Sequence, residues 1–215
     1  DDTIELDDVT QKYQKKSQLE HIKDLPDTYI GSTIKETNSI WILKEDLKED
    51  VKDKFKIIQK ECEYVPGLRS IIEEILVNAF DNMNRVNQKN ILENKRMKKV
   101  SYIKVNVNRE KGEISIENDG EGIDIVLHPT EKIYVPEMIF GNLLTSGNYN
   151  KEEAKITGGK NGFGAKLTNI FSTYFEIETI DRNRKLKYKQ IYRDNMSIKE
   201  EPIIKPYKDA PYTRI

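Results

Sequence analysis

The spacing of apolar positions changes along the chain, and each change marks an element. Read at about 100° per residue, Ile71, Ile72, Ile75, Leu76 and Ala79 fall on one arc, and Glu74, Asn78, Asp81 and Asn82 gather on the neighbouring one. Pro66 and Gly67 punctuate the chain just before, so the spacing predicts a long helix over residues 68–86. Between residues 44 and 63, Leu47, Val51, Phe55 and Ile58 also recur at helical intervals amid lysine and glutamate. That pattern predicts an amphipathic helix with a packing stripe. Further along the period drops to two. Residues 101–107 and 113–116 alternate around a turn at 108–112, and residues 174–180 and 185–192 alternate around 181–184. Both pairs read as β-hairpins. A short helix from about Ser17, closed by a turn with Pro26 and Gly31, and another over residues 165–171 complete the set. Residues 1–12 are acidic and expected to be poorly ordered. Residues 88–99 read as a continuation of the long helix or a polar loop.

Helices together with antiparallel pairs define an α/β (α+β) two-layer sandwich, in which a mixed, largely antiparallel sheet carries helices on one face. A doubly wound Rossmann arrangement fits less well, because strands and helices do not alternate. The length of 215 residues suits one domain, or one with an appendage, and can bury a full core. No apolar run approaches the roughly 18 residues of a membrane span, and no signal-peptide core is visible at the N-terminus. Cys62 is the single cysteine, which excludes an internal disulfide, and two histidines beside it make no zinc cluster. A net charge of −1 argues against a strong duplex-binding face. The basic run at Lys95, Arg96, Lys98 and Lys99 reads as a solvated loop face.

Candidate chemistry lies in three segments. On the long helix, Glu74 can act as a general base toward an attacking water. Asn78, one turn on, offers a hard amide oxygen of the kind Mg²⁺ takes. Next comes Asn118-Asp119-Gly120-Glu121-Gly122 at the end of an alternating strand. Asn118 can accept a hydrogen bond from an amino group, although Asn-Asp-Gly is equally good turn chemistry. The third segment, residues 158–166, has glycines at 159, 162 and 164 ahead of a helix, followed by Lys166. Bare backbone amides at a helix N-terminus suit phosphate oxygens, and a glycine hinge is the alternative. The segment is neither a Walker loop, lacking Gly-Lys-Ser/Thr, nor GxGxxG, since Leu167 fills the last place.

That ordered trio resembles the nucleotide site, a Bergerat-type ATP fold, of the ATPase superfamily shared by DNA gyrase, the ninety-kilodalton heat-shock chaperones, sensor histidine kinases and MutL. Longer strings narrow it. Tyr-Gln-Lys-Lys-Ser-Gln-Leu-Glu-His-Ile from 13, Pro-Asp-Thr-Tyr-Ile-Gly-Ser from 26, Tyr-Val-Pro-Gly-Leu from 64, Leu-Leu-Thr-Ser-Gly-Asn-Tyr from 143 and Asn-Gly-Phe-Gly-Ala-Lys-Leu-Thr-Asn-Ile-Phe-Ser from 161 look like eukaryotic-type (type IIA) DNA topoisomerase II. The similarity runs over residues 13–213.

The resemblance implies an ATPase with ATP and Mg²⁺ as cofactors. Glu74 would be the catalytic base and Asn78 the Mg²⁺ and phosphate ligand, with Asp81 and Asn82 on the same nucleotide face. Asn118, in one box with Gly122, would read adenine, where the superfamily usually has aspartate. Ser146, Gly147 and Asn148 would contact ribose. Gly159, Lys160, Asn161, Gly162, Phe163, Gly164, Ala165 and Lys166 would wrap the phosphates, and Thr213 would line the adenine pocket. Residues 1–30 would form an N-terminal strap, with Tyr13 reaching the nucleotide of a second subunit. Residues 13–22 are polar and charged, with few apolar residues to bury. Residues 31–215 would form the ATP-binding domain, stopping before its last strands and the transducer domain. The implied partners are a second copy, in a nucleotide-dependent homodimer, and DNA as substrate of the full-length enzyme, with little direct DNA binding by this part. No membrane is implied, and the location is the nucleus, or the virion or factory of a large DNA virus. Gly147 stands where a second serine is common, and Phe163 where tyrosine is frequent. Other readings on the same fold are a chaperone, which lacks these strings, a histidine kinase, which carries asparagine at the position of Glu74, and a module that binds ATP without turning it over.

Overall fold

The computed structural model describes residues 17–45, 55–94, 96–143 and 163–215. Its helices are α1 (Gln18–Asp24), α2 (Pro26–Tyr29), α3 (Pro66–Leu92), α4 (Val135–Phe140) and α5 (Gly164–Ile170). Its strands are β1 (Glu36–Glu45), β2 (Phe55–Tyr64), β3 (Ile103–Asn108), β4 (Glu113–Asp119), β5 (Tyr174–Asp181), β6 (Leu186–Arg193), β7 (Ile198–Lys199), β8 (Ile203–Pro206) and β9 (Tyr212–Arg214). Two sheets result: β1 with β2, and a seven-stranded sheet in the order β3-β4-β9-β5-β6-β7, with β8 also on β6. The described pairings are all antiparallel.

α3 begins with Pro66, whose missing N–H costs nothing where a helix leaves its first donors unpaired. Ile71, Ile75, Ala79 and Val86 are its buried stripe. Of these, Ile75 and Ala79 pack with Phe140 of α4 and Ala165 of α5 onto Ile116, Phe175, Ile177, Tyr188 and Tyr192 of the sheet. Helices therefore cover one face, as the alternation of β5 and β6 requires. The opposite face is ionic. Lys104, Glu117, Arg214, Glu178 and Lys189 form one register row across β3, β4, β9, β5 and β6. Glu178 lies 2.6 Å from Arg214 and 2.8 Å from Lys187.

The helix expected over residues 44–63 is not formed. Residues 36–45 and 55–64 are the antiparallel strands β1 and β2, and Leu47 and Val51 lie outside the described residues. The runs Ile40-Trp41-Ile42-Leu43 and Ile57-Ile58 are β-branched and aromatic, which suits a pleated surface better than a helix. One face of this hairpin carries Trp41, Leu43, Phe55 and Ile57, all exposed. The long helix continues through Leu92, and Arg96, Lys98 and Lys99 after it are non-helical.

The short helix expected from about Ser17 is formed as α1, and residues 17–30 pack on the core, although residues 13–22 read as polar with little to bury. Ser17 and Glu20 form a capping box at the start of α1, the Ser17 N–H donating to Glu20 Oε2 at 2.8 Å. Ile22 is fully buried and packs with Ile30 against Ile71 of α3 and Leu167 and Ile170 of α5. Burying such a side chain stabilises the fold by about 1.5–3 kcal/mol. Tyr13 lies outside the described residues.

Candidate active site

The polar face of α3 is fixed by α5, which crosses it. Thr168 Oγ1 donates to the Ile71 carbonyl at 2.8 Å and to the Gly164 carbonyl at 3.3 Å. This pins α5 about one turn before Glu74. The Glu74 carboxylate then lies directly against the Cα of Gly164, the first residue of α5, so that a Cβ there would fall on Glu74 Oε2. Glu74 and Asn78 are half-buried on the same side of the helix. Asp81 and Asn82 follow, also half-buried. Asn82 Oδ1 accepts from Arg85 at 2.7 Å, and a Cβ on Gly120 would lie 4.0 Å from Asn82 Nδ2. The end of the polar face thus meets the Asn118–Gly122 box.

Lys166 is 8% exposed, and among the described residues no carboxylate pairs with it. Burial pushes its ammonium pKa down. An uncompensated buried cation is costly, and an anionic ligand would remove the cost. Phe163 is half-buried and joins the α1–α5 cluster. The Ala165 side chain is in the main core, leaving only its backbone for a ligand.

Beyond α3, the site is floored by a polar row across three strands. Asn118 of β4 is opposite Thr213 of β9, which is opposite Thr179 of β5. The Thr213 and Thr179 hydroxyls are 2.8 Å apart, and Thr179 Oγ1 accepts from the Ile123 N–H at 3.1 Å. Asn118 Nδ2 donates to the Asp119 carbonyl at 2.8 Å. Thr179 is fully buried and is absent from the residues singled out by sequence. Its signal was present: the inward positions of β5 run Phe175, Ile177, Thr179, Asp181, apolar and then polar.

Two residues of the box have structural duties. Asp119 accepts from the Ser101 N–H at 2.7 Å, the Ser101 hydroxyl at 2.6 Å and the Tyr102 N–H at 3.1 Å. Burial alone would raise its pKa, but these bonds and Lys98 outweigh it and hold the carboxyl below the ordinary range. Gly122 has φ +75°, and a Cβ on it would overlap the Ile180 carbonyl, so a bare Cα is needed for the loop to meet β5. Ser146, Gly147, Asn148, Gly159, Lys160, Asn161 and Gly162 lie outside the described residues. No group of three or more histidine, cysteine, aspartate or glutamate side chains able to hold a metal occurs among the described residues.

A carboxylate against the first residue of α5, a buried lysine on the same helix and a polar row across the sheet are thus brought to one side of α3. The profile of the histidine kinase-, DNA gyrase B- and HSP90-like ATPases matches residues 63–191, and the chain belongs to that family. Within it, the chain is similar to DNA topoisomerase 2 of Acanthamoeba polyphaga mimivirus, 48% identical over 96% of this chain and 15% of the viral protein. It is similar to the ATPase region of Saccharomyces cerevisiae topoisomerase II, with a TM-score of 0.77 and 49% identity over 95% of this chain and 50% of that one. The ATPase and transducer domains of DNA topoisomerase II from Balamuthia mandrillaris give a TM-score of 0.78 and 44% identity over 95% of this chain and 48% of that one. The chain therefore spans about half the length of those two structures. The resemblance to the topoisomerase II ATPase region holds through nearly its whole length.

Proposed function

We propose that the chain binds ATP and hydrolyses it with Glu74 as general base, as part of the nucleotide-operated gate of a type II DNA topoisomerase. The observation that carries this reading is the Glu74 carboxylate set against the first residue of α5, the helix that also holds the buried Lys166. Phosphates would lie at the start of α5 within the segment Gly159–Lys166, and Lys166 would face their charge. Adenine would meet Asn118 and Thr213, with Thr179 fixing the threonine hydroxyl, and ribose would meet Ser146, Gly147 and Asn148. In hydrolysis, Glu74 takes a proton from water as its oxygen bonds to the γ-phosphorus. The bond from that phosphorus to the bridging oxygen breaks, and ADP leaves with the electron pair.

Asn78 fits Mg²⁺: its amide oxygen is a hard donor beside Glu74, and a nucleotide-held Mg²⁺ needs only one or two protein oxygens, the rest being phosphate and water. Bound there, the ion would neutralise charge developing on the phosphate oxygens. In the full-length enzyme, a homodimer would close on ATP through an exchanged arm that includes Tyr13, acting on DNA in the nucleus, or in the factory of a viral source. Among the described residues no helix is long and apolar enough to cross a membrane.

Glu74→Gln tests the reading in the full-length protein. Nucleotide affinity should persist, and steady-state hydrolysis should fall by roughly two to four orders of magnitude. Turnover within about a factor of two of wild type would remove Glu74 from the role of base.

A further inference from the structure

We infer that Gly164 is a positioning residue for Glu74, a glycine kept bare to seat the catalytic carboxylate. The inference rests on the assignment of Glu74 as base. Two reasons usually demand a glycine, and the first is absent. Gly164 opens a regular helix, and among the described residues the glycines with φ in the left-handed range are Gly31, Gly112, Gly120 and Gly122. Any L-residue could therefore adopt its backbone, and most would favour the helix more. The second reason is space. The three heavy atoms nearest to a Cβ at this position all belong to one side chain: Glu74 Oε2, then Cδ at 2.6 Å and Cγ at 3.2 Å. No backbone atom is among them, which sets Gly164 apart from Gly122, whose nearest neighbours are the Ile180 carbonyl and the Asp181 amide.

The helices cannot separate freely to admit a methyl group. Thr168, one turn along the same side of α5, holds the Ile71 carbonyl at 2.8 Å, and Ala165 is locked into the core. The yielding partner is the far end of Glu74, which rotates about its own side-chain bonds. Gly164→Ala should therefore displace the carboxylate and leave the fold intact. A phosphate cradle makes a different claim on the same glycine: there a methyl group would weaken nucleotide binding whatever occupies position 74.

The test compares Gly164→Ala, Glu74→Ala and the double variant in the full-length protein. Hydrolysis is followed by phosphate release, and binding by calorimetry with a non-hydrolysable ATP analogue. Gly164→Ala should lower kcat by about 10²-fold, the cost of a misplaced reacting group, over and above any loss of analogue affinity that comes from its place in the phosphate segment. In the Glu74→Ala background the same change should cost no further turnover, since there is no carboxylate left to displace. Glu74→Asp, one methylene shorter, should blunt the effect of Gly164→Ala. If Gly164→Ala costs turnover by the same factor with alanine at 74 as with glutamate, Gly164 acts without the carboxylate and the inference is overturned. A fully active Glu74→Gln, by contrast, would defeat the assignment of the base, whatever Gly164 does.

Discussion

Replacing Lys166 with methionine should make the nucleotide-free protein more stable and a worse nucleotide binder. The side chain is nearly enclosed, and no carboxylate among the described residues balances it. Burial lowers its pKa from the ordinary 10.5. The sign of the pH dependence follows. Between the depressed folded value and 10.5 the unfolded chain holds more protons than the folded one, so stability rises with pH through that window. Below the folded value the penalty is fully present. Methionine keeps most of the volume and removes the charge. A gain in stability at neutral pH is expected, because the buried charge is gone, together with loss of the alkaline rise. Against ATP, the missing charged contact should cost about 1.5–3 kcal/mol, or roughly 10- to 150-fold in Kd. Urea denaturation between pH 7 and 10, with and without a non-hydrolysable ATP analogue, measures both effects. A variant that is less stable without nucleotide and binds the analogue as tightly as wild type would refute the reasoning and make Lys166 a packing residue.

Ile22→Ala should destabilise the chain by about 2–5 kcal/mol by opening a cavity between α1, α3 and α5; a loss near zero in chemical denaturation would mean that α1 does not dock in solution. Asn118→Ala should weaken ATP more than inorganic triphosphate, and equal losses by calorimetry would leave Asn118 with a turn role only. Acid should unfold the protein through Glu178, Asp119 and Asp181. Burial alone raises each of these, and hydrogen bonds with cationic neighbours outweigh it, so all three are held below their ordinary 4.5 and 3.8. Stability from such depressed carboxyls is present above those ordinary values and drains away as pH falls through the folded ones. Thermal melts from pH 6 to 2 should fall below about pH 4, and a flat profile there would contradict the ionic ladder.

The polar face of α3 was legible because one helix carries both its stripe and its chemistry, and the two large hairpins were legible because their period is local. β9 was not. Its three residues join two distant hairpins, and that pairing is decided by the sheet, with Ile215 exchanging backbone bonds with Ile116 at 2.8 and 3.0 Å. β2 reads as helix, and β1 is hardly legible, because lysine and glutamate between apolar residues satisfy both periods when few positions are buried. Ile22 looked too isolated to dock, since its partners Ile71, Leu167 and Ile170 are far away in sequence. At Gly164 the glycine itself was visible, but its neighbour was not: the motif suggested a ligand, and the fold supplied a carboxylate.

Trp41 is the chain's single tryptophan, and it stands 69% exposed on the open face of the β1–β2 hairpin. Its fluorescence therefore samples one patch of surface and almost nothing of the interior. Global unfolding carries this indole from water to water, so its emission is a poor gauge of melting, and circular dichroism has to serve instead. The same exposure leaves it open to soluble quenchers and makes it sensitive to anything that settles over Leu43, Phe55 and Ile57. A blue-shifted, shielded emission in a larger assembly would mean that this hairpin has been covered.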